Sequence, residues 1–225
     1  MATRKLPAQG IALSVDIDRP VCIFPAMKSA EPVPPPPRER ILAVASQLFY
    51  AHGIRAVGID TIIDQSGVAK ASFYKHFPSK NDLVAEVLTQ LGAAWRQWLA
   101  DAVDRLSDDP GTRPLAAFDA LSERLNCSGF RGCIFINSIV ELADRDHAGH
   151  AVANDHKQQV TAYLERLLVD AQIRPAGDLA NQLMMLIDGA IVTALRTGSA
   201  AASSSAKEVA RMLIEQRQAK RGRRA

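Results

Sequence analysis

Residue types that can do chemistry gather at a few places in this chain. In the run 70–76, Lys70, Ser72, Tyr74, Lys75 and His76 bring hydroxyls and cations into two helical turns. Such groups bind phosphate oxygens and base edges. A second group is Cys127 and Cys133 with Arg131 between them. Either Cys133 is a small buried hydrophobe and Cys127 an incidental thiol, or the two close a short loop on oxidation, helped by a cation that favours the thiolate. A third is Asp144, Asp146, His147, His150 and His156, which would hold a metal only if they converged and otherwise form a polar helix junction. Asn137 and Glu141, four apart, share a helix face. They read as a surface or capping pair, or as the polar corner of a ligand pocket. The sequence pairs no nucleophile with a base and has no phosphate-binding loop. A helical enzyme is therefore the remote alternative, and neither cofactor nor metal is expected.

The basic cluster needs elements to hold it, and 58–83 supplies them. Ile59, Ile62 and Ile63 lie at helical spacing and share one face. Gly67 permits a tight turn. Val68, Phe73 and Phe77 bury one side of a second short helix, leaving the cations and hydroxyls on the other. Pro78 ends it, and Ser79 with Asp82 three residues later opens the next helix in a capping-box arrangement. Two short helices around a glycine turn, the second presenting donors, form a helix-turn-helix.

These residues resemble the DNA-binding signature of the TetR family of bacterial transcriptional regulators. Thr61 stands on the second helix, Gly67-Val68 at the turn, Tyr74 to Phe77 (Tyr-Lys-His-Phe) at the end of the recognition helix, and Ser79-Lys80 at the start of the fourth. Ala69 departs from the family's usual Ser or Thr, so the recognition helix lacks a side-chain cap, a loss of about 1 kcal/mol. The resemblance and geometry together assign Thr61, Tyr74, His76 and Lys80 to phosphates, and Lys70, Ala71 and Ser72 to base edges, with Lys75 on the same face.

The chain has 225 residues, 48% of them hydrophobic, enough for one or two domains with a real core. No apolar run approaches the ~20 residues of a membrane span, so no membrane partner is expected. A formal charge of +3 permits a nucleic-acid partner without announcing one. Cys22, Cys127 and Cys133 make no disulfide framework, and a reducing bacterial cytoplasm is the simple location. Residues 1–37, ending in a proline run, read as a disordered extension, with translation starting at Met1 or at Met27. The expected domains are this extension, a helix-turn-helix unit at 38–83, a larger helical domain at 84–218 and a basic tail at 219–225.

No strand pattern is present, and the expected fold class is all-α, with about nine helices. The first runs 38–52 and ends at Gly53. The fourth runs 79–106, the fifth from about 113, the sixth 133–144, the seventh 150–171, and the eighth from about 178 to 196. A flexible break at 198–204 precedes the ninth, which opens on a second capping box, Ser205 with Glu208. The eighth is apolar nearly all round, so it packs against more than its own core; helices 8 and 9 are either intramolecular core or, as the resemblance implies, the interface of a homodimer. The resemblance implies a ligand-responsive regulator, a repressor released from a palindromic double-stranded DNA operator by a small hydrophobic effector. Bulk and helical face nominate Trp95, Trp98, Phe118, Phe135, Ile139, Tyr163 and Met184, with Asn137 and Glu141, for its pocket. The alternative is a regulator switched by Cys127/Cys133 oxidation or by a protein partner.

Overall fold

A computed structural model describes residues 35–222, with side chains as far as 219. The expectations for the N-terminal extension, for Cys22 and Met27, and for the last residues of the basic tail lie outside the described residues. Among those described, all regular structure is helical: α1 Pro37–His52, α2 Ile59–Ser66, α3 Lys70–His76, α4 Lys80–Leu106, α5 Arg113–Leu125, α6 Ile134–Leu142, α7 Ala148–Asp170, α8 Gly177–Thr197 and α9 Ala201–Gly222.

Local chemistry explains most boundaries. Pro37 and Pro114 sit in first helical turns, where a missing N–H costs nothing. Gly67 ends α2 in the left-handed region at φ 62°. Ser79 caps α4: its hydroxyl accepts the Asp82 N–H at 3.2 Å and donates to the Asp82 carboxylate at 2.7 Å. Ala69 stands at the N-terminus of α3 with no side-chain cap.

Three expectations are corrected. α6 stops at Leu142, two residues early, because Ala143 turns to φ 55°. α7 starts at Ala148, where the His147 Nδ1 accepts the Gly149 N–H at 3.0 Å. α9 begins at Ala201, not Ser205: the Ser199 hydroxyl accepts the Ala201 N–H at 3.2 Å and takes the capping role. Ser205 is one turn inside and donates to the Ala201 carbonyl, while Glu208 pairs with Arg211. The expected flexible stretch thus shrinks to a turn at Gly198, and buried Ser203 ties α9 to α5 by donating to the Phe118 carbonyl at 2.7 Å.

Two cores form. One joins α1, α2, α3 and the first half of α4, around Ile41, Leu48, Ile62, Phe73, Leu83 and Leu88. It continues past 83 to Leu91 and takes in Ile134, Phe135 and Leu142 of α6 and Ala153 of α7. The other packs the second half of α4 with α5, α7, α8 and α9, around Phe118, Leu164, Leu168, Leu179 and Leu183. α4 therefore belongs to both. By length and composition α8 is apolar enough to cross a membrane, which the run-length reading of the sequence missed. In the fold its Leu179, Leu183, Ile187 and Ile191 are buried against α7 and α9.

Candidate nucleic-acid interface and interior cavity

The recognition face is built from the inside out. Phe73 and Phe77 are buried, with ring centroids 6.1 Å apart. They fix the rotation of α3, so Lys70, Ala71, Tyr74 and Lys75 must point to solvent, with Ser72 and His76 half-buried beside them. Tyr74 is 43% exposed, its ring packed edge-on against Phe73 at 5.4 Å. Thr61 is half-buried on α2. The Lys70 ammonium lies 3.2 Å from Asp60, and both side chains are mostly exposed. Such a pair is worth little, so phosphate or a base edge can displace Asp60. Lys80 opens α4, half-buried. Burial lowers its pKa, and the charge of Glu141 partly offsets this. The α1 N-terminus is fixed above this unit: Arg38 lies 2.8 Å from Glu86 of α4, with its guanidinium over the Phe77 ring at 5.6 Å.

A cavity opens where the two cores meet. Its apolar wall includes Leu91, Trp95, Phe130, Ile134, Phe135, Val160, Met184 and Ile187, with Tyr50, Arg124, Cys133, His156 and Lys157 as the polar-capable members. Of the nominated residues, Trp95, Phe135 and Met184 line it. Six lie elsewhere. Phe118 is fully buried in the second core, and Tyr163 and Trp98 pack against that core. Ile139 packs on the first core. Asn137 donates to the Arg131 carbonyl at 3.1 Å. Glu141 accepts the Arg55 N–H at 3.1 Å. Bulk and face periodicity identify buried residues without saying which of them face the void.

His156, noted in the sequence only as a conceivable metal ligand, is central here. It is 3% exposed, stacked on Phe135 at 3.7 Å and edge-on to Trp95 at 5.4 Å. Burial, then Lys157 and Arg96, push its pKa down to about 3. Arg96 can only donate, so the His156 Nδ1 that lies 3.2 Å from it is the unprotonated nitrogen. Two other members of that acidic and histidine-rich run serve backbone geometry: Asp144 accepts the Asp146 N–H at 3.0 Å, and His147 caps α7. Among the described residues no three His, Cys, Asp or Glu side chains converge. Lys157 reaches Asp188 of α8 at 2.5 Å. Burial alone would lower its pKa, but the Cys133 sulfur and the Asp188 carboxylate outweigh it and raise it. Cys127 and Cys133 are free and half-buried, and only Cys133 lines the cavity.

A three-helix unit with an exposed polar third helix, carried on a larger helical body, defines a protein of helix-turn-helix architecture. Residues 41–87 match the family profile described as "Bacterial regulatory proteins, tetR family". The chain is 34% identical over 91 residues to the HTH-type transcriptional regulator LmrA of Bacillus subtilis. That match covers 40% of this chain and 46% of LmrA, less than half of that relative's length. A longer, weaker likeness, 21% over 177 residues, runs to the HTH-type transcriptional regulator YjdC of Escherichia coli and covers 79% of this chain and 93% of YjdC. The fold is similar to the crystal structure of SCO4454, a TetR-family transcriptional regulator from Streptomyces coelicolor. The TM-score is 0.72 at 28% identity, over 80% of this chain and 89% of that one. Residues 41–87 thus carry the TetR-family profile, and the chain is similar in fold to a TetR-family transcriptional regulator over most of its length.

Proposed function

We propose that this chain is a homodimeric DNA-binding transcriptional repressor of the bacterial cytoplasm, released from a palindromic operator by a small hydrophobic effector. The observation that carries the reading is the face of α3: cations and hydroxyls lie outward on a short helix whose rotation is locked by Phe73 and Phe77. Thr61, Tyr74, His76 and Lys80 are the phosphate contacts in this reading. Lys70, Ala71 and Ser72 reach the base edges, and Lys75 flanks them. Two copies related by a two-fold axis would set their recognition helices about 34–36 Å apart, one turn of DNA. The exposed apolar residues Met185, Val192 and Leu195 on α8 and Val209 and Met212 on α9 support that pairing. The apolar cavity suits the effector, and Lys157 and Arg124 are among the residues that line it.

Duplexes selected from a randomised pool test the main claim. They should share an inverted repeat. Tyr74→Ala and Lys80→Ala should weaken binding across all selected sequences, and loss of the dimer's two Lys80 phosphate contacts should reduce the slope of log affinity against log salt by about 1.8. Unchanged binding by both variants refutes the assigned docking. The second reading, a thiol switch, draws support from Cys133 lying against the Lys157 ammonium at the cavity. Operator footprints under oxidant, compared with Cys133→Ser, separate it from effector control.

A further inference from the structure

His156 stands on α7 in the wall of the cavity, and packing leaves its ring one orientation. One face lies nearly parallel to the Phe135 ring, with centroids 3.7 Å apart and 16° between planes. Trp95 of α4 meets it edge-on, at 81°. Gly92 makes room for the Nδ1 edge: a Cβ there would stand 3.1 Å from Nδ1 and 3.0 Å from the Arg96 Nη1. That Nη1 lies 3.2 Å from Nδ1. A guanidinium only donates, so Nδ1 accepts and the proton of the neutral ring sits on Nε2. Burial keeps the ring in that neutral form.

The Nε2–H is thus a fixed donor. Among the described residues no group accepts it, yet the atom is not sealed from open space. The residue is only 3% exposed, and the open space it borders is the cavity. A donor held in an apolar wall costs free energy until an acceptor reaches it. One already immobilised loses little freedom when that happens.

Charge narrows the choice of acceptor. No Asp or Glu stands in the cavity wall. Three cations near it are engaged: Lys157 with Asp188 at 2.5 Å, Arg124 with its guanidinium 4.9 Å from the Trp98 ring, and Arg96 on His156 itself. A cationic ligand would meet only positive charge. A carboxylate would be desolvated in an apolar wall beside cations that already have partners. Trp95, Phe130 and Phe135 give that wall its aromatic surface.

We propose that His156 is the specificity-determining residue of the cavity, and that the cavity takes an uncharged aromatic molecule whose carbonyl oxygen accepts a hydrogen bond from Nε2. This role rests on the reading of the cavity as the effector site. It adds what apolar bulk alone does not give, a requirement for one acceptor oxygen.

Four probes of similar size test it: acetophenone, its hydrocarbon isostere isopropenylbenzene, benzoate and benzylamine. Dissociation constants are measured by NMR titration of the full chain and of His156→Phe. Acetophenone should bind the wild type more tightly than benzoate or benzylamine. The ratio of the acetophenone constant to the isopropenylbenzene constant should rise about fivefold or more in His156→Phe, as expected when one hydrogen bond is lost. Comparing that ratio between the two proteins cancels the difference in hydration between the probes. The wild type gives a second measurement that needs no variant to fold. Its His156 Nε2 resonance should move in the hydrogen-bonded direction with acetophenone and not with isopropenylbenzene. An unchanged ratio, an Nε2 resonance that ignores the ketone, tighter binding of benzoate, or no binding of acetophenone each overturns the assignment. Release of a selected duplex is read apart from binding. If acetophenone binds through His156 and the duplex stays bound, the effector reading fails and the recognition role stands. If both uncharged probes release the duplex alike from both proteins, the effector reading stands and the role of His156 is wrong.

Discussion

At the scale of single residues, burial decides what a group can do. His156 has its ring between Phe135 and Trp95 and its Nδ1 toward Arg96, and it stays neutral down to about pH 3. In the unfolded chain it takes up a proton near pH 6.5. The sign follows: above pH 6.5 both states are neutral and stability is fully present. As pH falls from 6.5 toward 3 the unfolded state binds the extra proton and stability is lost, by up to about 1.4 kcal/mol per pH unit. Urea unfolding at pH 7 and pH 5 should show this loss, and His156→Phe should flatten the difference. An equal pH dependence in both proteins would refute the assignment of the slope to His156. Glu141 teaches the same lesson differently. Its sequence context allowed a pocket corner, but its carboxylate is committed to the turn at Gly53 and Arg55.

At the scale of elements, local signals and tertiary demands compete. The recognition helix α3 has seven residues and starts at Ala69 with no side-chain cap, so buried Phe73 and Phe77 hold it rather than its own ends. Ala69→Ser should supply the missing acceptor and stabilise the protein by about 0.5–2 kcal/mol, read as a rise in the urea midpoint at unchanged slope. No rise would mean that Ala69 does not sit at the cap geometry. α9 shows the opposite case. Ser205 and Glu208 have the spacing of a capping box, but Ser199 caps the helix and Ser203 is drawn inside to the Phe118 carbonyl. Serines recur too often between 199 and 205 for spacing alone to choose among them. The choice came from α5, to which Lys207 also binds through both oxygens of Asp119, at 2.6 and 2.7 Å.

At the scale of the whole molecule, α4 and α6 connect the helix-turn-helix core to a larger helical body, and α8 and α9 present apolar side chains that this body does not cover. Leu195 is 47% exposed and Val192 50%. A charge on that strip should cost an isolated chain little and a dimer much. Val192→Glu/Leu195→Glu should therefore sediment as a monomer with an unchanged helical spectrum and should lose tight operator binding, since one α3 alone buries too little DNA. A variant that still sediments as a dimer moves the interface elsewhere.

By itself the sequence determined the helices, the helix-turn-helix and the outward face of α3. Each rests on neighbours a few positions apart: the spacing of Ile59, Ile62 and Ile63, the φ freedom of Gly67, the cap at Ser79, and the alternation of Phe73 and Phe77 with cations. Only the tertiary structure decided which apolar residues border a void and which fill a core. It alone sent six of the nine nominated pocket residues elsewhere and brought His156 and Lys157 in. It also joined Tyr50 to Arg131 across 81 positions and Glu141 to Arg55 across 86. Periodicity reports that a side chain faces inward. What it meets there is set by elements far away in the chain, whose packing no local pattern encodes.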